Sequence, residues 1–303
     1  MKLDEIEAFV AVVRSQSLSQ AADSLALTQP AVTRRIQNFE EALGVGLLDR
    51  NTKPLKMTPM GRAVYAQCRA IVREVDALRH LVDDDAPLAG VLRIGVAQTI
   101  ADVAMRDALH ALRVAHPALR AHVSTGWGNP LLQKVEDGEL DAAIVLLPAQ
   151  RAMSESLAGE AFGTLKLAVA AKKGSMKKRA HTLAECQSIG WVLNPDGCGF
   201  RAGLQRALAA QGYPLRLNLE TLGAELQLGL VADGVGLGLV PLPLLRMSAH
   251  AAQLDVINVS DFKPEIAVWI VRSRALGKLQ PALAVLAASV GQRLHAMRNE
   301  RAA

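Results

Sequence analysis

The chain has 303 residues, half of them hydrophobic, a formal net charge of +5 and three cysteines. That length can bury the cores of two or three domains, while the charge excess is too small to name an anionic partner by itself. Cys68, Cys186 and Cys198 form no C-x-x-C pair, which argues against a disulfide framework or a cysteine zinc site and favours a reducing compartment.

In chain order, "MKLDEIEAFVAVV" carries acids where a secretory signal needs a basic flank, and its apolar residues Leu3, Ile6, Phe9, Val10 and Val13 lie on one helical stripe. No apolar run approaches the length of a membrane span, so a cytoplasmic protein with no membrane partner is expected.

The stretch "SQSLSQAADSLALTQPAVTRRIQNFEEALGVGLL" reads as helix, tight turn, helix. Ser17 is expected to cap the first helix with Gln20 closing a capping box, and Thr28 to cap the second. Pro30 then falls in the first turn, where its missing N–H has no intrahelical partner to lose. From that start Ala31, Ile36, Phe39 and Leu43 face inward, and Gln29, Thr33, Arg34 and Gln37 project outward. This is the surface that a recognition helix presents to the major groove of double-stranded DNA: Gln suits adenine, Arg suits guanine, and Thr suits either edge or a thymine methyl. Arg35 lies about 100 degrees round the helix from Arg34 and is expected to reach a phosphate. A solvated outer face would have the same polar residues, so the neighbouring segment matters. "LLDRNTKPLKMTPMG" places Arg50, Lys53 and Lys56 around Pro54, as in a short β-hairpin wing. Between residues 29 and 62, six basic residues oppose Glu40, Glu41 and Asp49.

From Thr58 and Pro59, a cap and a first-turn proline, a helix is predicted to run to about Val82. Val64, Cys68, Ile71, Val75, Leu78 and Val82 are spaced as a heptad seam, which predicts a homodimer with Cys68 buried between the chains.

The acidic "DDDAPLAG" at 83 to 90 marks a change of character. Strands are predicted at 91–96, 120–125, 141–146, 165–170, 189–193, 237–241 and 266–271, alternating with helices in a parallel-rich α/β domain. The seven histidines are scattered, no H-E-x-x-H or G-x-S-x-G occurs, and the glycines of "DGVGLGLVP" fit neither a dinucleotide fingerprint nor a P-loop, so no enzyme is expected. The alternative is a cleft at strand ends and helix N-termini. Its candidates are Gln98, Thr99, Ile100, Gly126, Trp127, Leu146, Asn194, Cys198, Gly199, Phe200, Arg201, Thr221, Leu222 and Gly223. Helix starts after Thr99, Gly128, Gly199 and Gly223 would favour an anion. Trp127 as a core aromatic, Thr99 as a plain cap and Arg201 as a solvated residue remain open. Cys198 at a helix N-terminus could have a lowered thiol pKa, which makes a thiol-based redox sensor the alternative function. "KKGSMKKR" at 172 to 179 reads as a solvated basic loop.

"AADSLALTQPAVTRRIQNFEEALGVGLLDR" followed by "MTPMG" resembles the winged helix-turn-helix of LysR-type transcriptional regulators, with its paired alanines, Gln-Pro helix start, Glu-x-x-Leu-Gly run and Thr-x-x-Gly. Leu48 stands where the family usually has Phe and Met60 where it has a small residue; neither departure removes a polar residue assigned to DNA. The resemblance implies a DNA-binding domain at 1–58, a linker helix and hinge at 59–88, and an effector domain at 89–303. That domain would comprise two Rossmann-like subdomains, as in periplasmic binding proteins: subdomain I at 89–163 and 266–303, and subdomain II at 164–265. It also implies a small-molecule co-inducer in the cleft between them, no other cofactor, a dimer or tetramer of this chain, and RNA polymerase as a further partner. A transport-type solute-binding protein shares the cleft but has no use for residues 1 to 82.

Overall fold

A computed structural model describes residues 1–49, 52, 54–81, 88–177, 179–274 and 276–299. The chain divides into two compact units, Met1–Ala86 with Ala275–Lys278, and Pro87–Arg274 with Leu279–Ala303.

The first unit contains α1 (Leu3–Ser15), α2 (Leu18–Ser24), α3 (Gln29–Leu43), the strands β1 (Leu48–Asp49) and β2 (Lys56–Met57), and α4 (Pro59–Leu81). Phe9, Val12, Ala21, Val32, Ile36, Phe39 and Leu47 fill its core. The Phe9 ring lies 5.6 Å from Phe39 and meets Tyr65 edge-on at 6.1 Å, so one aromatic residue joins α1 to both α3 and α4. Strands β1 and β2 pair antiparallel through Leu48 with Met57 and Asp49 with Lys56, which is the predicted wing.

Helix α4 corrects the sequence reading. Val64 and Cys68 lie on the predicted intermolecular seam, yet they pack with Tyr65 and Val72 against the core of their own unit, and Cys68 is buried there. The hydrophobic demand of α1 and α3 claims the first turns of the helix. Further along, Ile71 and Leu78 remain exposed, while Val82 lies outside the described residues.

The second unit runs β3 (Gly90–Ala97), α5 (Gln98–Ala115), β4 (Leu119–Gly126), α6 (Gly128–Glu136), β5 (Ala142–Leu147), β6 (Leu157–Lys172), α7 (Leu183–Ile189), β7 (Trp191–Leu193), α8 (Gly199–Ala210), β8 (Leu217–Glu220), α9 (Ala224–Asp233), β9 (Leu237–Pro241), α10 (Leu242–Met247), β10 (Leu254–Ile257), β11 (Glu265–Ser273) and α11 (Gln280–Asn299). The sheet order is β4-β3-β5-β11-β6-β9-β7-β8, with β10 beside β6. Parallel pairing joins β4, β3 and β5 in one group, and β8, β7 and β9 in the other. Strands β6 and β11 pair antiparallel between the groups. The sheet is therefore mixed rather than parallel-rich, because the chain leaves the first group through β6 and returns through β11.

The long β6 merges the predicted 165–170 strand with residues before it: Leu157 to Lys166 pair with β11, and Leu167 to Lys172 with β9 and β10. Strands β8 and β10 escaped the sequence reading. Each has four residues with a polar or acidic member and at most one buried side chain, so neither has the continuous apolar run used to find the others. Separate apolar clusters lie on each group, one around Leu131, Val145 and Trp269, the other around Val192, Leu228 and Val240.

Candidate nucleic-acid interface and ligand cleft

Helix α3 begins where the sequence places it, but by different means. Thr28 is the N-cap with extended backbone and Pro30 lies in the first turn, yet the Thr28 hydroxyl makes no capping bond. Its carbonyl instead accepts the Val32 amide at 3.1 Å. The helix stops at Gly44, whose φ of 67° is a left-handed conformation that glycine adopts without strain. In α2 the Ser17 hydroxyl accepts the Gln20 amide at 3.4 Å as expected. The reciprocal half of the box is absent, since the Ser17 amide donates to Ser15 Oγ at 3.4 Å.

The buried stripe of α3 is Val32, Ile36 and Phe39. Ala31, expected inside, is half-buried, and Leu43 is exposed at the final position, where the chain already turns away. The one-residue shift follows from spacing: positions i, i+4 and i+7 from Val32 share a face, and Ala31 lies off it. The opposite face carries Gln29, Pro30, Arg34, Gln37 and Asn38, all exposed, with Thr33 half-buried beside them. They line one surface concavity with Glu40 and Glu41. The Thr33 hydroxyl donates to Gln29 O at 3.0 Å, leaving its oxygen free to accept. Asn38 was missed, although its spacing of four from Arg34 places it on this face.

The paired arginines separate. Arg34 has no carboxylate partner among the described residues, whereas Arg35 Nη2 lies 3.3 Å from Asp4 Oδ2 and ties α3 to α1. Arg35, expected to reach a phosphate, is thus engaged within the unit, because its position on the helix faces the acidic first turn of α1. Arg50 and Lys53 lie outside the described residues.

Around the wing, Thr58 accounts for the Thr-x-x-Gly pattern. Its hydroxyl accepts the Gly61 amide and donates to Gly46 O, each at 2.9 Å, while its own amide donates to Leu47 O at 3.0 Å. A Cβ on Gly61 would collide with the Leu47 carbonyl. Glu40 Oε1 accepts the Leu47 and Leu48 amides at 2.7 and 3.2 Å, fixing the approach from α3 to β1. A second concavity of about 450 Å³ lies between α2, α3 and the wing, lined by residues that include Gln16, Ser17, Ser19, Gln29, Thr33 and Thr52.

In the second unit, part of the predicted cleft set converges. Trp127 caps α6, and its Cβ lies 3.8 Å from where a Cβ on Gly197 would stand. A Cβ on Gly199, the first residue of α8, would stand 3.0 Å from Leu146 O and 2.8 Å from Ile266 Cδ1. Trp127, Leu146, Cys198 and Gly199 thus meet where α6 and α8 begin, across the two strand groups. Gly126 ends β4 just before them.

A second group supports this place. Asn194 Oδ1 accepts the Gly223 amide at 3.1 Å and its Nδ2 donates to Gln227 Oε1 at 3.4 Å; the fully buried Gln227 donates onward to Val192 O at 2.8 Å. The Thr221 amide donates to Leu193 O at 2.9 Å. Arg201, buried, lies with Nε 3.0 Å from Asp196 Oδ1, pairs through Nη1 with the Glu220 carboxylate and donates to Asn194 O at 3.3 Å. Two carboxylates match its charge, so Arg201 is not the solvated residue that was left open but ties Asp196 and Glu220 together.

The remaining candidates disperse. Helix α5 begins at Gln98 with Ala97 as its cap, so Thr99 lies inside the first turn and is not a cap. Ile100 is fully buried on the inward stripe of α5 with Val103, Ala104 and Ala108, because the helix starts earlier than expected. Gln98 donates to Asp102 Oδ1 at 2.8 Å. Phe200 is buried, and Leu222 is exposed.

Cys198 does sit at the N-cap of α8, but it is buried, and burial pushes its thiol up. Hydrogen bonds from the Arg201 and Phe200 amides pull in the other direction without winning. The expectation of a helix-activated thiolate fails because desolvation outweighs the helix N-terminus. Burial likewise raises Cys68 and Cys186 to about 11. In the basic loop, Arg179 is not simply solvated: it forks onto Glu185 at 2.7 and 3.1 Å.

Comparison with known proteins agrees with both units. Residues 3–62 match the model of the bacterial regulatory helix-turn-helix protein, lysR family, and residues 85–294 match the LysR substrate binding domain. The HTH-type transcriptional regulator BenM of Acinetobacter baylyi is 29% identical over 264 residues, covering 86% of this chain and 84% of its own length. Among solved structures, a full-length OxyR variant from Pseudomonas aeruginosa superposes with a TM-score of 0.81 at 22% identity, over 96% of this chain and 94% of that one. Full-length CbnR complexed with its target DNA gives 0.58 at 19% identity, over 97% and 100%.

Proposed function

The chain belongs to the LysR family of DNA-binding transcriptional regulators with an effector-binding domain, and from that premise we propose how its residues divide the work. The observation that carries the proposal is the outer face of α3, where Gln29, Arg34 and Gln37 stand exposed and Arg34 lacks a partner among the described residues. Gln29, Thr33, Arg34 and Gln37 read base edges, with Pro30 and the Thr28 backbone fixing the helix start. Ser17, Arg50 and Lys53 contact the DNA backbone, and Arg35 acts at one remove by holding α3 on α1.

Residues 1–58 form the DNA-binding domain and 59–88 the linker, with the exposed Ile71 and Leu78 of α4 covered by a second copy of the chain. Paired recognition helices then read two half-sites, and a tetramer reads two such pairs. Residues 89–303 bind a small, anionic effector where the first amides of α6 and α8 meet beside Trp127 and Leu146. An effector that prefers the closed arrangement shifts the two subdomains, alters the spacing of the recognition helices and so the bending of DNA and contact with RNA polymerase. The chain works in the cytoplasm, and no turnover is part of this role.

The test is a melting screen of the full chain against mono- and dicarboxylates and their neutral amides. A ligand of the native state must raise its stability, so a carboxylate should raise the melting temperature where its amide does not. A bulky side chain at Gly199, as in Gly199→Leu, should abolish the rise. Equal responses to acid and amide would remove the anionic assignment.

A further inference from the structure

Gln16 has a left-handed backbone, with φ 52° and ψ 23° after the last turn of α1. Such a conformation costs a non-glycine residue on the order of 1 kcal/mol. The side chain is exposed and makes no hydrogen bond among the described residues, while the turn itself is held by the Ser15 hydroxyl, which donates to Ser17 O at 2.7 Å. Gln16 lines the concavity of about 450 Å³ that also holds Gln29 and Thr33 of α3 and Thr52 of the wing. A DNA strand lying against α3 and the wing would pass through that space.

We propose that Gln16 is a DNA-contacting residue, its side-chain amide donating to a phosphate oxygen of the strand that passes between α3 and the wing. This rests on the assignment of α3 as the recognition helix. A neutral donor adds affinity without releasing a counterion, so its contribution is independent of base sequence and leaves the salt slope unchanged. Ala26 provides the comparison. It too is left-handed, with φ 54°, but its methyl group can donate nothing and it does not line the concavity.

The experiment uses the full chain and a duplex that the wild-type protein enriches from random DNA, with a scrambled duplex beside it. Gln16→Gly and Ala26→Gly should both raise the melting temperature by relieving the backbone. Gln16→Gly should lose about tenfold in affinity for both duplexes at an unchanged salt slope, a size suited to one hydrogen bond to a charged group. Ala26→Gly should bind as wild type does. Wild-type affinity in Gln16→Gly would overturn the proposal while leaving α3 as the reader. A lower melting temperature together with weaker binding would assign Gln16 a packing role and also overturn it. A wild-type protein that enriches no sequence would remove both readings.

Discussion

Gly61 and Leu47 meet so closely that the first has no room for a side chain: a Cβ on Gly61 would overlap the Leu47 carbonyl oxygen and stand 3.0 Å from its carbon. The approach is held by Thr58, which bonds the amides and carbonyls on both sides of it. One glycine therefore sets how the wing joins the start of α4.

Gly61→Ala should destabilise the first unit by about 1–3 kcal/mol, the range for overpacking against a backbone that cannot yield. Urea unfolding of the full chain followed by the unit's own signal checks this. An unchanged midpoint would mean that the backbone relaxes freely here.

The neighbouring arginines should behave differently. Arg34→Ala should cost about 1–3 kcal/mol on a selected duplex and relax the preference at one base pair. Arg35→Ala should leave the base preference intact and lower stability by less than about 1 kcal/mol, since the Asp4 pair is partly exposed and screened. A double cycle with Asp4→Ala would show coupling between the two. If Arg35→Ala instead altered the base preference, the division of roles would be wrong.

Cys198 should resist alkylation in the native protein at pH 8 and react readily once unfolded, because burial raises its thiol and hides it. Labelling with iodoacetamide before and after urea measures the contrast. Rapid native labelling, or a sulfenate adduct after mild peroxide, would return the redox reading to favour.

Glu185 provides a pH signature in the second unit. The Arg179 guanidinium first, then the Thr182 amide, hold its carboxyl at about 2, below the ordinary value of 4.5. A depressed folded value contributes stability that is present above about pH 4.5 and lost as the pH falls toward 2. Glu185→Gln should flatten the stability profile within that window and leave its slope above about pH 5 unchanged. An identical acid limb in the variant would show that other carboxylates set it.

Most of the first unit was legible in the sequence because its signals are local. Pro30 announces a helix start, and Thr58 with Gly61 a junction. What failed there was side-chain direction: Val32 rather than Ala31 faces the core, and Cys68 is claimed by its own unit, since both depend on where neighbouring helices pack. In the second unit, β9 was read to the residue, but β8 and β10 were not, being short and with at most one buried side chain each. The meeting of Trp127, Leu146 and Gly199 was legible from their places near a strand end or a helix start. It was not legible at Arg201, whose partners Asp196 and Glu220 are brought in by the fold.

The central claim is that the N-terminal half of α3 reads DNA sequence through Arg34. Enrichment of random duplex DNA by the full-length wild type and by Arg34→Ala tests it directly. The wild type should select an inverted pair of half-sites, and the variant should retain that spacing while losing preference for guanine at one position in each half. Recovery of the same motif, at the same information content, from both proteins would contradict the claim.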